Sequence, residues 1–249
     1  MGALLYRDEG EIVGMAIPPS VVQKFKDELV AAHRVVGNLP MDHRGHISVR
    51  LPNSDEILVK ARLSRELSSF HDVGRRHITR MTLDGKVVSL GKNLEPPREY
   101  FIHTWLYKLR PDVGSVVHIH PKYTIVLGIA GKSIKPVYHL RDAGVVAEEL
   151  PIFNDPRLIV DDELGRKLAE TLGNREACVL RWHGLVTVGK DIHEAALRAM
   201  KIEMQAEYNF LALQAGAVNE MPKEYLVDVM ETPKLLEADW AYFSAMERV

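Results

Sequence analysis

The run Val116-Val117-His118-Ile119-His120-Pro121 constrains this chain more than any other segment. Its β-branched residues predict a strand, and side chains on a strand alternate between faces. His118 and His120 therefore share one face, with rings close enough to share one ion. A lone histidine on an apolar strand is usually structural. Two on one face, followed at once by Pro121, need a common ligand or water. Trp182-His183-Gly184 precedes a second strand-like run, Leu185 to Val188, so His183 could close the site from a neighbouring strand. Three imidazoles with an open position describe a catalytic divalent-metal centre better than a closed structural one.

The 249 residues leave room for one large α/β domain or two small ones. A hydrophobic share of 46% and a charged share of 27% are those of an ordinary soluble globular protein. The formal net charge of -2 gives no reason to expect nucleic acid or an anionic membrane as a partner. The single cysteine, Cys178, excludes an intrachain disulfide framework and suits a reducing cytoplasm. It lies in the apolar run Ala177 to Leu180 and is expected to be a buried strand residue. Met1 to Gly10 carries charges and no apolar core, so no signal peptide is expected. No stretch of about 18 apolar residues suggests a membrane span.

Along the chain, Pro18-Pro19-Ser20 marks the start of a helix over Val21 to Val36. A polar loop, Met41 to Gly45, precedes short strands at His46 to Arg50 and Glu56 to Val59. Ile78 to Leu90 reads as a hairpin turning at Asp84-Gly85. Pro96-Pro97 is expected to open a helix running to about Arg110. A short helix is expected over Tyr123 to Ala130, and another over Asp161 to Leu172. Strands follow at Ala177 to Arg181 and Leu185 to Val188. A long helix spans Asp191 to Gln214, with Asp191 as its N-cap. The simplest organisation is one α/β domain over 1–249 with an irregular tail from about Val218. His33, His43, His71 and His77 are scattered, and surface or supporting roles suit them. Trp240, Tyr242 and Phe243 are expected to pack on the body, on a neighbouring subunit, or over the active site.

Glu99 falls on the first turns of the helix that feeds the histidine strand. A carboxylate there can be a fourth ligand, a general base, or an acidic residue favoured by the helix dipole. Local reasoning leaves these open.

Taken together, Gly45-x-x-Ser48-x-Arg50, Glu99, Arg110-Pro111-Asp112, His118-x-His120-Pro121, His183-Gly184 and Glu203 resemble the class II aldolase/adducin family. The resemblance covers about Val21 to Leu213. It implies an αβα three-layer fold with a mostly antiparallel central sheet, and a homotetramer with active sites at subunit interfaces. It implies a divalent metal on His118, His120 and His183, zinc favoured, with manganese, iron or cobalt as alternatives. Glu99 would ligate the resting metal and move protons. The position matching a catalytic tyrosine of the sugar-phosphate aldolases falls at or beside His139, with Tyr138 its neighbour.

The sequence departs from the sugar-phosphate members where they hold phosphate. Gly45-His46 carries an imidazole in place of an amide. Lys60-Ala61-Arg62-Leu63-Ser64 lacks a glycine for close backbone approach. Pro97-Arg98 stands where two hydroxyls precede the catalytic glutamate. Arg98 and His46 suit a carboxylate instead, and Ser48 and Tyr138 complete the expected substrate contacts. The stretch Gly45 to Pro52 looks like the decarboxylase-type branch, which acts on hydroxylated aromatic or pyridine carboxylates. The expected activity is thus decarboxylation of a small-molecule carboxylate through an enolate-like carbanion. An aldolase or epimerase acting on a sugar or sugar phosphate is the nearest alternative, since the electron sink is shared. A non-haem iron oxygenase and a non-enzymatic adducin-like scaffold fit less well.

Overall fold

The computed structural model describes residues 17–62, 68–143, 149–226 and 236–246. Residues 1–10, Leu63 and Ser64 lie outside them. Eight strands form one sheet in the order β4-β3-β2-β1-β5-β8-β7-β6. They are β1 (Met41–Arg50), β2 (Glu56–Lys60), β3 (Ile78–Thr82), β4 (Val87–Ser89), β5 (Ser115–Pro121), β6 (Ile152–Phe153), β7 (Ala177–Leu180) and β8 (Gly184–Gly189). Every pairing is antiparallel except β6 with β7. The two-residue β6 was not expected from the sequence, because a run that short carries no periodicity.

Strict alternation along the strands splits the core into two layers. Ile47, Val49, Val117, Ile119, Val179 and Leu185 point into one, where they meet helices α1 (Pro19–Val36) and α5 (Ile192–Gln214). Ile57, Val59, Val116, Cys178, Val186 and Val188 point into the other, against α2 (Tyr100–Leu109) and α4 (Asp162–Leu172). The result is the expected αβα sandwich with a mostly antiparallel sheet. Cys178 is fully buried, and burial pushes its thiol up to about 12.

The helix starts follow local chemistry. Pro19 occupies the first position of α1, where its missing N–H costs nothing. The Asp161 and Asp191 side chains each accept a backbone N–H at 2.8 Å, from Leu164 and Glu194, capping α4 and α5. Helix α3 (Lys122–Ile129) follows β5 directly. Its Tyr123 and Thr124 N–H groups donate to the Glu203 carboxylate on α5, at 2.7 and 2.9 Å. Glu203 thereby ties the end of the histidine strand to the long helix.

Three expectations need correction. Helix α2 begins at Tyr100, not at Pro96-Pro97, so Glu99 precedes the helix rather than riding on its first turns. Met41 to Gly45 is part of β1 rather than a loop. It is an irregular part: Met41 pairs with Pro121 and Gly45 with Ile119, so four steps on β1 face two on β5. Such a bulge bends the strand and re-aims its side chains. Gly45 has φ +122, and a Cβ there would sit 2.5 Å from the His118 carbonyl oxygen. Finally, the tail beyond Val218 is irregular only in its first part: 218–222 have no regular structure, Lys223–Tyr225 is a 3-10 turn, and Leu236–Met246 forms helix α6. Phe243 and Trp240 join the α1/α5 core, and the Trp240 ring stacks on His193 with centroids 3.9 Å apart. That is the sheet face away from the histidine cluster, so within one chain α6 does not cover the cluster.

Candidate metal centre

His118 lies on β5 opposite His46 of β1 and Val186 of β8, on the face toward α2 and α4. His120, two residues on, shares that face. His183 sits in the turn between β7 and β8, where its N–H donates to the Leu180 carbonyl. Trp182 adopts φ +65 in the same turn, a left-handed conformation that costs a bulky residue about 1–2 kcal/mol. Gly184 makes the approach possible: a Cβ there would fall 2.4 Å from the Ile119 oxygen and 3.0 Å from the His120 ring. Glu99 arrives from the helical layer that covers this same face, just ahead of α2.

One ligand atom from each of Glu99, His118, His120 and His183 lies within 4.8 Å of all the others. The Nε2 atoms of His118 and His120 are 3.2 Å apart. Glu99 Oε2 is 3.7 Å from His118 Nε2, and Oε1 is 3.6 Å from His183 Nε2.

The hydrogen bonds behind the cluster show that these residues suit a cation. His118 Nδ1–H donates to the Leu185 carbonyl at 3.2 Å, and His120 Nδ1–H donates to Asp42 Oδ1 at 3.0 Å. Each ring thus turns a bare Nε2 lone pair toward its neighbour, the orientation that supporting carbonyls and carboxylates impose on metal-binding histidines. Both ring nitrogens of His183 are buried and make no hydrogen bond. Burial holds the rings neutral, His120 down at about 4 and His183 at about 3. Burial opposes the charge on Glu99, but His118, His183 and the Ile159 N–H hold its carboxyl at about 2. Three imidazoles and one carboxylate form a donor set for a divalent ion with a position left open.

Two cavities flank the cluster. One, of about 380 Å³, is lined by His46, Lys60, Arg62, Arg98, Glu99 and His120 among others. The second, of about 740 Å³, is walled by Pro156, Leu158, Trp182, His120 and His183 with Arg44 at its rim.

The other expected site residues divide clearly. Arg98 is exposed and lines the smaller cavity beside Glu99, and His46 lines it from β1. Ser48 does not reach a ligand. It is fully buried, with its hydroxyl 2.6 Å from His103 Nδ1 and 2.8 Å from the Tyr107 hydroxyl. Tyr138 and His139 are exposed beside α5, against Tyr225 and Tyr208 respectively, and among the described residues neither lines the two cavities. The Val137 N–H bonds Gln205 of α5, which fixes this segment on the far face of the sheet. Asp42, His103, Tyr107 and Trp182 were missed. Asp42 depends on the β1 bulge. His103 and Tyr107 are four apart on one face of α2, a signal that was legible but carried no partner until β1 was placed beneath it.

Residues 27–210 match the family described as Class II Aldolase and Adducin N-terminal domain. The chain belongs to the class II aldolase/adducin family. The 3,4-dihydroxyphthalate decarboxylase of Arthrobacter keyseri is 28% identical over 199 residues, 77% of this chain and 78% of that protein. The 5-methylthioribulose-1-phosphate/5-deoxyribulose-1-phosphate aldolase of Rhodospirillum rubrum is 29% identical over 137 residues, 55% of this chain and 61% of that protein. In fold, the L-fuculose 1-phosphate aldolase of Glaciozyma antarctica PI12 superposes with a TM-score of 0.77 at 19% identity, covering 95% of this chain and 92% of that one. These relatives are decarboxylases and aldolases, and this member of the family is a lyase of the same superfamily. No helix among the described residues is long and apolar enough to cross a membrane.

Proposed function

We propose that this chain is a divalent-metal-dependent decarboxylase of a hydroxylated aromatic or pyridine carboxylate. The observation that carries this reading is the lining of the smaller cavity. Beside Glu99 and His120 it presents Arg98, Arg62, Lys60 and His46, and no hydroxyl side chain among the described lining residues. Guanidinium and imidazole donors suit a planar carboxylate. The larger cavity adds the flat, apolar walls of Trp182, Leu158 and Pro156, which suit an aromatic ring. The resemblance to 3,4-dihydroxyphthalate decarboxylases supports the same substrate class.

His118, His120, His183 and Glu99 would hold the ion. Bound there, zinc (or manganese, iron or cobalt) supplies Lewis acidity at a substrate oxygen. The protein's residues do the rest. Arg98 and His46 orient the carboxylate. The carbon–carbon bond breaks with its electron pair left on the ring carbon, carbon dioxide leaves, and a proton must reach that carbon. Glu99 would relay it: Oε1 accepts the Ile159 N–H at 2.9 Å, which leaves Oε2 as the proton-carrying atom. His139 is the second proton donor of this reading, with Tyr138 a substrate contact beside it. Both would come from a neighbouring subunit of a homotetramer whose active sites lie at subunit interfaces. The setting would be cytoplasmic.

The test is a metal-supplemented assay of carbon dioxide release from ortho-hydroxy aromatic and pyridine carboxylates. Sugar phosphates are run in parallel for aldehyde release. Metal-dependent carbon dioxide release is the expected result. Cleavage of a phosphorylated sugar with no carbon dioxide from any acid would overturn the reading in favour of an aldolase.

A further inference from the structure

Behind the smaller cavity runs an unbroken line of short hydrogen bonds. His46 Nδ1 is 2.6 Å from His103 Nε2, His103 Nδ1 is 2.6 Å from Ser48 Oγ, and Ser48 Oγ is 2.8 Å from the Tyr107 hydroxyl. His103 and Ser48 are completely buried, Tyr107 is 1% exposed and His46 is 7% exposed. No carboxylate touches any of the four among the described contacts. A neutral imidazole carries one donor and one acceptor, and a hydroxyl carries one hydrogen. Ser48 Oγ could also accept from both neighbours, but its own buried hydrogen would then have no acceptor among the described contacts, so the line points in one of two directions.

In the first, Tyr107 donates to Ser48, Ser48 donates to His103 Nδ1, and His103 Nε2–H donates to His46 Nδ1. His46 then carries its own hydrogen on Nε2, the ring nitrogen left for the cavity. In the second, every bond is reversed, and the Tyr107 hydrogen must go to the Gly114 carbonyl oxygen, 3.5 Å away. That contact is at the edge of bonding distance, and it would leave a buried hydroxyl hydrogen poorly satisfied. The first direction uses only the short contacts and leaves no group unmatched.

We propose that this buried line locks His46 as a neutral hydrogen-bond donor, aimed into the cavity to read an oxygen acceptor such as a carboxylate. His103, Ser48 and Tyr107 are its positioning residues. The ligand class rests on the decarboxylase reading; the direction of the line does not. His103 is pushed down to about 3 by burial, in keeping with a neutral ring. The phenol of Tyr107 is pushed above its ordinary range by burial, so the line ends on a group that does not ionise. His46 therefore has no internal route for replacing a lost proton, and its part is to orient the acid, not to protonate the product.

Neutron diffraction from deuterium-exchanged crystals of the metal-loaded protein tests the direction. Deuterium on His46 Nε2 and on His103 Nε2, with none on either Nδ1, is the expected result. Deuterium on His46 Nδ1 overturns the proposal, whether Nε2 is bare or also deuterated. Binding of salicylate to the same protein tests the consequence. Ser48→Ala breaks the line and should weaken salicylate about tenfold, while Ser48→Thr, which keeps the hydroxyl, should restore most of it with the metal content unchanged. Equal affinity in wild type and Ser48→Ala would overturn the positioning role. A protein that has the expected deuterium pattern and turns over only sugar phosphates would refute the decarboxylase reading alone.

Discussion

His33 and His183 are both buried histidines, yet the chain treats them in opposite ways. His33 lies on α1, in the layer shared with α5, and is fully buried. Its Nδ1–H donates to the Leu29 carbonyl at 2.7 Å, and its Nε2 accepts the Ile47 N–H at 3.1 Å. One donor and one acceptor are both used, so the ring is closed. His183, on the other face, has both nitrogens buried and neither bonded. A buried polar atom left unpaired costs on the order of 1–3 kcal/mol. Among the described histidines only His183 has both ring nitrogens buried and unbonded, and it lies where Glu99, His118 and His120 converge. Burial thus does not separate a structural histidine from a ligand. What separates them is whether the protein itself satisfies the second nitrogen.

The largest expected effect falls on the open side. Glu99→Gln should lower turnover by about 10²–10⁴-fold, the usual worth of a general acid or base. The metal should stay on the histidines. Unchanged turnover in a metal-replete variant would remove Glu99 from proton transfer.

On the closed side, the effect should be on stability against acid. Burial and Lys60 push His33 down to about 3, from an ordinary value near 6.5. The folded ring resists a proton that the unfolded chain accepts. Its contribution is therefore complete above pH 6.5 and is lost as pH falls toward 3. His33→Gln keeps a donor and an acceptor but has no proton to gain. In metal-free protein, urea unfolding should show the variant losing about 3 kcal/mol less than wild type between pH 7 and pH 4. Parallel losses would mean that His33 is not the closed ring described.

Asp42 joins the two ideas, because it satisfies one nitrogen of His120 and leaves the other free. Asp42→Ala should weaken metal binding about 10–100-fold, the usual cost of losing such a support. Competition with a chromophoric chelator reads this directly. The smallest effect should come from His183→Ala without metal. Removing two unsatisfied nitrogens should leave the metal-free protein as stable as before, or about 1 kcal/mol more so. A loss of several kcal/mol would place His183 with His33.

These contrasts also show which parts were legible in the sequence. Strand alternation alone put His118 and His120 on one face, because a period of two does not depend on the rest of the fold. The αβα layering came from the family resemblance, and the strand pairing then divided Ile47 and Val117 from Val116 and Val186 between the two faces. Glu99 stayed ambiguous because its neighbours suggested a helix start, whereas α2 begins one residue later. Asp42 was read as a loop residue because the bulge that aims it at His120 exists only once β1 pairs with β5. Ser48 was placed at the substrate, but a strand position says which face a side chain takes, not whether a helix covers it. His103 and Tyr107 cover it. Tyr138 and His139 follow α3 onto the α5 side, so they could complete the site only in an assembly of chains.

The most direct measurement is metal content by elemental analysis of the purified protein, alongside His183→Ala and His33→Gln. One divalent ion per chain in wild type and His33→Gln, with a marked loss in His183→Ala, is the expected result. Equal metal in all three, or none in wild type after reconstitution, would contradict the assignment of the open histidines as a metal centre.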